Sequence, residues 1–106
     1  MAEFRIALQV SKLQPGKQKQ INVEGGSVLL SNVDGKFYAI GNICTHASCP
    51  LDGGLLKGKV ITCICHGSQF DVTTGEVLRG PAVEPEPAYE VKIDGEDILI
   101  GGKKAR

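Results

Sequence analysis

The sequence predicts an all-β fold, an antiparallel sandwich or barrel of about eight to ten short strands. Three observations predict it. Apolar spacing at i, i+3, i+4 and i+7 is nowhere sustained, and 14 glycines with 5 prolines keep interrupting it. Short β-type runs recur instead, each bounded by turn residues. Two of these boundaries carry Asp-Gly between apolar runs, the strongest short-range hairpin signal, because the tight turn needs positive φ.

The elements follow in order. Phe4 to Leu8 is well bounded but alternates poorly. Gln20-Ile21-Asn22-Val23 alternates cleanly and stops at Gly25-Gly26. Ser27 to Val33 runs into Asp34-Gly35, and Lys36 to Ile40 completes the first hairpin. Val60 to Cys65 is a strand candidate, and Gln69 to Val72 leads into the turn Thr73-Thr74-Gly75. Tyr89 to Ile93 and Ile98 to Ile100 flank Asp94-Gly95-Glu96-Asp97, the second hairpin. Pro85 and Pro87 deny their stretch a central-strand role. Gly101 to Arg106 reads as a frayed tail.

Composition sets the class. One hundred and six residues, 42% of them hydrophobic, make one domain with enough apolar surface for a core. Twelve basic and twelve acidic residues cancel, so nothing marks a nucleic-acid coat. No run approaches the roughly 20 apolar residues of a membrane span. Glu3 and Arg5 interrupt any apolar export core, and a cytoplasmic protein is expected. Residues 84–97 hold six acids against one lysine, and residues 12–19 hold three lysines. Both read as solvated faces of opposite sign, with a partner-docking patch as the sharper alternative.

The chemistry lies in the soft ligands. All four cysteines (44, 49, 63, 65) and both histidines (46, 66) fall within 23 residues, which core packing does not require. They sit on two glycine-bearing loops, as Cys44-x-His46 and Cys63-x-x-His66, with 16 residues between the pairs. Two ligands from each of two loops suit a metal held between loop tips. Neighbouring residues such as Cys65 and His66 seldom converge on one centre, so Cys63 is the better ligand. Three identities compete: a structural zinc, a disulfide-only knot, and an iron–sulfur cluster with mixed ligands. Zinc sites usually show paired cysteines at wider spacing.

Cys44-Thr45-His46 with Cys63-Ile64-Cys65-His66-Gly67-Ser68 resembles the signature of the Rieske family. The likeness extends to Pro50-Leu51-Asp52-Gly53-Gly54, Phe70-Asp71, Thr74-Gly75 and Gly80-Pro81-Ala82, and is tight over residues 42–82. The resemblance implies a single Rieske domain over 1–106, with a base of 1–42 and 83–106 and a cluster-binding subdomain of 43–82. It implies one [2Fe–2S] cluster, with Cys44 and Cys63 on the inner iron and His46 and His66 on the outer. Two thiolates cancel the 2+ charge of the oxidised core, and an electron enters a neutral centre more easily than a dianion.

The resemblance also implies a Cys49–Cys65 disulfide, as in the respiratory branch of the family, whereas many oxygenase ferredoxins lack that pair. Ser68 matches a hydroxyl that donates to a bridging sulfide, Phe70 replaces a tyrosine that donates to a ligand sulfur, and Pro81 matches the proline loop over the cluster. The implied function is a soluble one-electron carrier between a flavoprotein or other reductase and an oxygenase or other redox protein. His46 and His66, ringed by Ala47, Pro50, Leu51 and Pro81, would form its docking tip. No catalytic base, nucleophile or nucleotide loop is evident, so an enzyme is not expected. A non-redox zinc module and a fixed redox subunit of a larger complex are the alternatives.

Overall fold

The structure is a computed structural model that describes residues 4–23, 26–45, 49–65 and 67–104. Ten strands are described: β1 (Arg5–Gln9), β2 (Gln18–Val23), β3 (Gly26–Val33), β4 (Lys36–Gly41), β5 (Leu55–Lys57), β6 (Val60–Thr62), β7 (Gln69–Asp71), β8 (Val77–Arg79), β9 (Ala88–Asp94) and β10 (Asp97–Lys103). Three-residue 3-10 turns occupy Val10–Lys12 and Leu51–Gly53. The strands form two antiparallel sheets, one ordered β1-β10-β9-β4-β3-β2 and one β5-β6-β7-β8.

Local chemistry accounts for the hairpins. Asp34 and Gly35 take φ of 52° and 90°, the paired left-handed geometry that joins Val33 to Lys36 with matching twist. Poor alternation at the N-terminus has a cause as well. Ile6 pairs with Leu99 and Leu8 with Ile98, so Ala7 is the extra residue of a bulge and the inward face changes there.

The C-terminal tail departs from expectation. Residues 101–103 are strand, not frayed chain, and Lys104 N–H donates to Ala88 O at 2.7 Å. The glycines serve a bulge and a close approach. Ile100 pairs with Val91 and Lys103 with Tyr89, one residue out of step. A Cβ on Gly101 would lie 2.9 Å from the Phe4 ring, so only glycine leaves room for it.

Two buried clusters share the central strands. Val28, Leu30 and Ala39 turn one way, joining Leu13, Ile98 and Ile100. The two outermost strands of the six-stranded order also reach this cluster, through Ala7 and Leu8 on β1 and Ile21 and Val23 on β2, so the sheet curls on itself. Leu29 and Ile40 turn the other way, toward Cys44, Leu51, Ile61, Cys63, Phe70 and Ala82. One face of β3 and β4 thus fills the curled sheet, and the other seats the four-stranded sheet and its cysteines.

Candidate metal centre

Two loops leave the strands that seat them. The first runs from the end of β4 to the 3-10 turn at Leu51–Gly53 and is closed at its neck by a side-chain clasp. Asn42 Nδ2–H donates to Asp52 Oδ1 at 2.8 Å, and Asp52 N–H donates to Asn42 Oδ1 at 2.9 Å. Inside that clasp Ile43 bridges Pro50, and Cys44 N–H donates to Cys49 O at 2.7 Å. The second loop leaves β6 at Thr62, earlier than the strand expected through Cys65. Cys63 N–H turns instead to Ser68 O at 2.8 Å, and Gly67 N–H returns to Cys63 O at 3.0 Å. Gly67 sits at φ +80°, which favours glycine there.

Cys44 and Cys63 are both free of disulfides and buried, at 2% and 1% exposure. Cys49 and Cys65 are joined in a disulfide that ties the two loops, with 6.5 Å between their Cα atoms. His46, Ala47 and Ser48, and His66, lie outside the described residues.

A third segment, residues 80–87, straps both loops down. It begins with a cis Gly80–Pro81 peptide, and Pro81 is exposed. Ala82 N–H donates to the buried Ser68 Oγ at 3.0 Å, so this hydroxyl is used there as an acceptor and keeps its own proton to give. Thr45 Oγ1–H donates to Glu84 O at 2.7 Å, and Thr45 N–H donates to Glu86 Oε2 at 3.0 Å. Glu86 is 1% exposed, so the run 84–97 is not wholly a solvated face. Gly41 makes room for it, since a Cβ there would lie 2.6 Å from Glu86 Oε1. Burial pushes the Tyr89 phenol up, and the Glu86 carboxylate adds to the shift.

Phe70 is fully buried in the cluster of side chains that contains Cys44 and Cys63. Next to it, burial alone would push the Asp71 carboxyl up. Hydrogen bonds from the Thr73 hydroxyl and N–H, together with Lys59 Nζ at 3.3 Å, outweigh that and leave it below the usual carboxylate range.

The expected docking tip needs one correction. Leu51 is fully buried among Leu29, Ile40 and Ile61, because the 3-10 turn at the loop neck rolls it inward. Its place on the surface falls to side chains that sequence reasoning passed over. Ile64, between two cysteines, is 69% exposed, and Val83, beside Pro81, is 88% exposed. An apolar residue between ligand-type neighbours was the available signal.

The donor set fits a cluster that takes only two thiolates. The disulfide withdraws Cys49 and Cys65 from ligation, and the two thiols left over are buried at the bases of two tethered loops. Among the described residues no helix is long and apolar enough to cross a membrane.

Known proteins share this architecture. The model of the Rieske [2Fe–2S] domain matches residues 3–97. The chain is 37% identical over 103 residues to the biphenyl dioxygenase ferredoxin subunit of Pseudomonas sp. strain KKS102, covering 96% of this chain and 94% of that protein. It is 35% identical over 94 residues to the ferredoxin component of the naphthalene 1,2-dioxygenase system of Pseudomonas aeruginosa, covering 89% and 90%. Among solved structures, the ferredoxin of carbazole 1,9a-dioxygenase from Nocardioides aromaticivorans IC177 superposes with a TM-score of 0.88 at 34% identity, covering 92% and 95%. A chain from the complex of reduced oxygenase and oxidised ferredoxin in carbazole 1,9a-dioxygenase gives 0.92 at 30% identity, covering 97% of each. The chain belongs to the Rieske [2Fe–2S] family, whose domain carries one [2Fe–2S] cluster.

Proposed function

We propose that this chain is a cytoplasmic one-electron carrier, taking an electron from a flavoprotein or other reductase and passing it to an oxygenase or another redox protein. The observation that carries the reading is the pair of buried, unbridged thiols, Cys44 and Cys63, at the bases of two loops tied by a disulfide. Relatives named as ferredoxin components of dioxygenase systems support the choice of acceptor. Cys44 and Cys63 would hold one iron and His46 and His66 the other. So held, the cluster supplies one-electron transfer and no open position for a substrate.

The remaining residues serve that exchange. Cys49 and Cys65 hold the loops together, and Ser68 offers its proton toward the ligands while Ala82 fixes its oxygen. Phe70 packs in the same buried cluster as the two thiols and offers no donor, which would keep the potential below that of a tyrosine-bearing relative. Residues 43–82 act as the cluster-binding subdomain on a base of 1–42 and 83–106. The docking face expected of His46, His66 and Ala47 would take in the exposed Pro50, Ile64, Pro81 and Val83.

Reduction by a flavoprotein reductase with its nicotinamide donor, followed by mixing with a ring-hydroxylating oxygenase, tests the reading. The visible spectrum should bleach and then recover as the electron leaves. A chain that the reductase reduces but that passes nothing to any oxygenase would overturn the assignment of its acceptor.

A further inference from the structure

Glu86 is 1% exposed, and the chain is pinned at it and just beyond it. Its own N–H donates to Gly75 O at 2.8 Å, and Gly41 N–H donates to Pro87 O at 2.8 Å. The space around its carboxylate is shaped by a glycine, since a Cβ on Gly41 would lie 2.6 Å from Oε1. The other oxygen, Oε2, accepts Thr45 N–H at 3.0 Å. That nitrogen is bonded to the carbonyl carbon of Cys44, a few covalent bonds from its sulfur, and Thr45 leads directly to His46. The carboxylate therefore stands against the loop that carries two of the expected ligands. Burial removes the water that would screen it, and a charge in the protein interior acts at an effective dielectric far below that of water. The Tyr89 phenol, pushed up first by burial and then by Glu86, feels the same charge.

From this placement we propose that Glu86 sets the reduction potential of the chain. Its buried negative charge opposes the incoming electron and holds the potential below what two thiolates and two imidazoles would give alone. Reduction adds one negative charge near another that water does not shield, so the oxidised chain is favoured. Holding the loop does not require that charge, because a neutral amide oxygen accepts the same N–H. A buried charge also carries a desolvation cost that a neutral acceptor avoids. Glu84, two residues earlier, is exposed, and its charge is screened by water and salt. The consequence falls on the partners. A lower potential makes the reduced chain a stronger donor to its acceptor, and it demands a donor as reducing as a reduced flavin. The inference rests on the electron-carrier reading and deepens it, naming a residue that biases the direction of transfer.

Voltammetry of the cluster-loaded full chain at one neutral pH compares wild type with Glu86→Gln, Glu86→Met, Glu86→Asp and Glu84→Gln. The Gln and Met variants both remove the charge at similar length, and only Gln keeps an acceptor for Thr45 N–H. Each should raise the reduced-to-oxidised ratio at a fixed potential about tenfold, a shift of about 59 mV upward. Two uncharged variants keep the test decisive should one of them lose the cluster. Glu86→Asp retains the charge and should stay near wild type. Glu84→Gln should shift far less, and the Glu86 shift should survive about 1 M salt, which screens exposed charges more than buried ones. An unchanged or lower potential in either uncharged variant that holds the cluster would overturn the proposal. So would an equal shift in Glu86→Asp or Glu84→Gln, or loss of the shift in salt. The electron-carrier reading fails differently, with a chain that shows no reversible one-electron wave or passes nothing to any oxygenase.

Discussion

The carboxylate Oε2 of Glu86 accepts the backbone N–H of Thr45 at 3.0 Å, across 41 positions of sequence. Thr45 separates Cys44 from His46, so a buried acid on the return segment fixes the backbone between two expected ligands. Removing the carboxylate takes away the acceptor that holds this N–H.

Glu86→Ala should therefore cost about 1–3 kcal/mol and speed loss of the visible chromophore on warming. Glu86→Gln retains a carbonyl oxygen at the same reach and should keep most of the stability. Thermal melts followed at far-ultraviolet and visible wavelengths check both. Equal loss in the two variants would show that the negative charge, not the hydrogen bond, holds the loop.

Cys63→Ser should abolish cluster incorporation, since it removes one of the two unbridged thiols. Cys65→Ser should retain the cluster in a less stable protein, because the lost bridge closes a loop of about 15 residues, worth roughly 3 kcal/mol. Iron and acid-labile sulfide analysis separates the two. The reverse pattern would exchange the roles of Cys63 and Cys65.

How much of this was legible depended on distance along the chain. The hairpins at Asp34-Gly35 and Gly95 were legible because their turn chemistry is local. The strands β5 and β8 were not, because Leu55-Leu56-Lys57 and Val77-Leu78-Arg79 set an apolar pair beside a charge and show no alternation. Gly101 read as the start of a frayed tail because its role, close approach to the Phe4 ring, depends on a partner 97 residues away in sequence. The soft ligands announced the two loops, because cysteine and histidine at short spacing have few other uses. Glu86, Val83 and the burial of Leu51 were invisible for the opposite reason. Ordinary residue types gain their roles only from what the fold places against them.

Ser68→Ala and Phe70→Tyr should move the reduction potential in opposite directions. Removing the Ser68 hydroxyl takes away a donor and should lower it, and it also strips Ala82 N–H of its acceptor. A tyrosine hydroxyl aimed at a ligand sulfur should raise it. If about 1 kcal/mol of each bond differs between redox states, each shift is some tens of millivolts, since 59 mV corresponds to roughly 1.4 kcal/mol for one electron. Voltammetry at one neutral pH checks the signs. An unchanged potential in Phe70→Tyr, with the spectrum intact, would make Phe70 core packing alone.

Asp71 should stabilise the protein at neutral pH and stop doing so in acid. Its carboxyl is held below the ordinary value of 3.8, so on acidification the unfolded chain takes up the proton first. The contribution is present above 3.8 and fades as pH falls through the lower folded value. Asp71→Ala should cost about 2 kcal/mol near pH 7, and the gap to wild type should narrow below pH 4. A gap independent of pH in thermal melts would mean that the charge of Asp71 contributes nothing.

Electron paramagnetic resonance of the reduced full chain, resolved for nitrogen hyperfine coupling, tests the cluster and its ligands together. A mixed-ligand [2Fe–2S] centre should give one unpaired spin per chain, strongly coupled to two nitrogens, one from His46 and one from His66. Histidine variants at either position should remove one coupling or the centre itself. A silent spectrum, as zinc would give, or a spin with no nitrogen coupling, as four thiolates would give, would contradict the account.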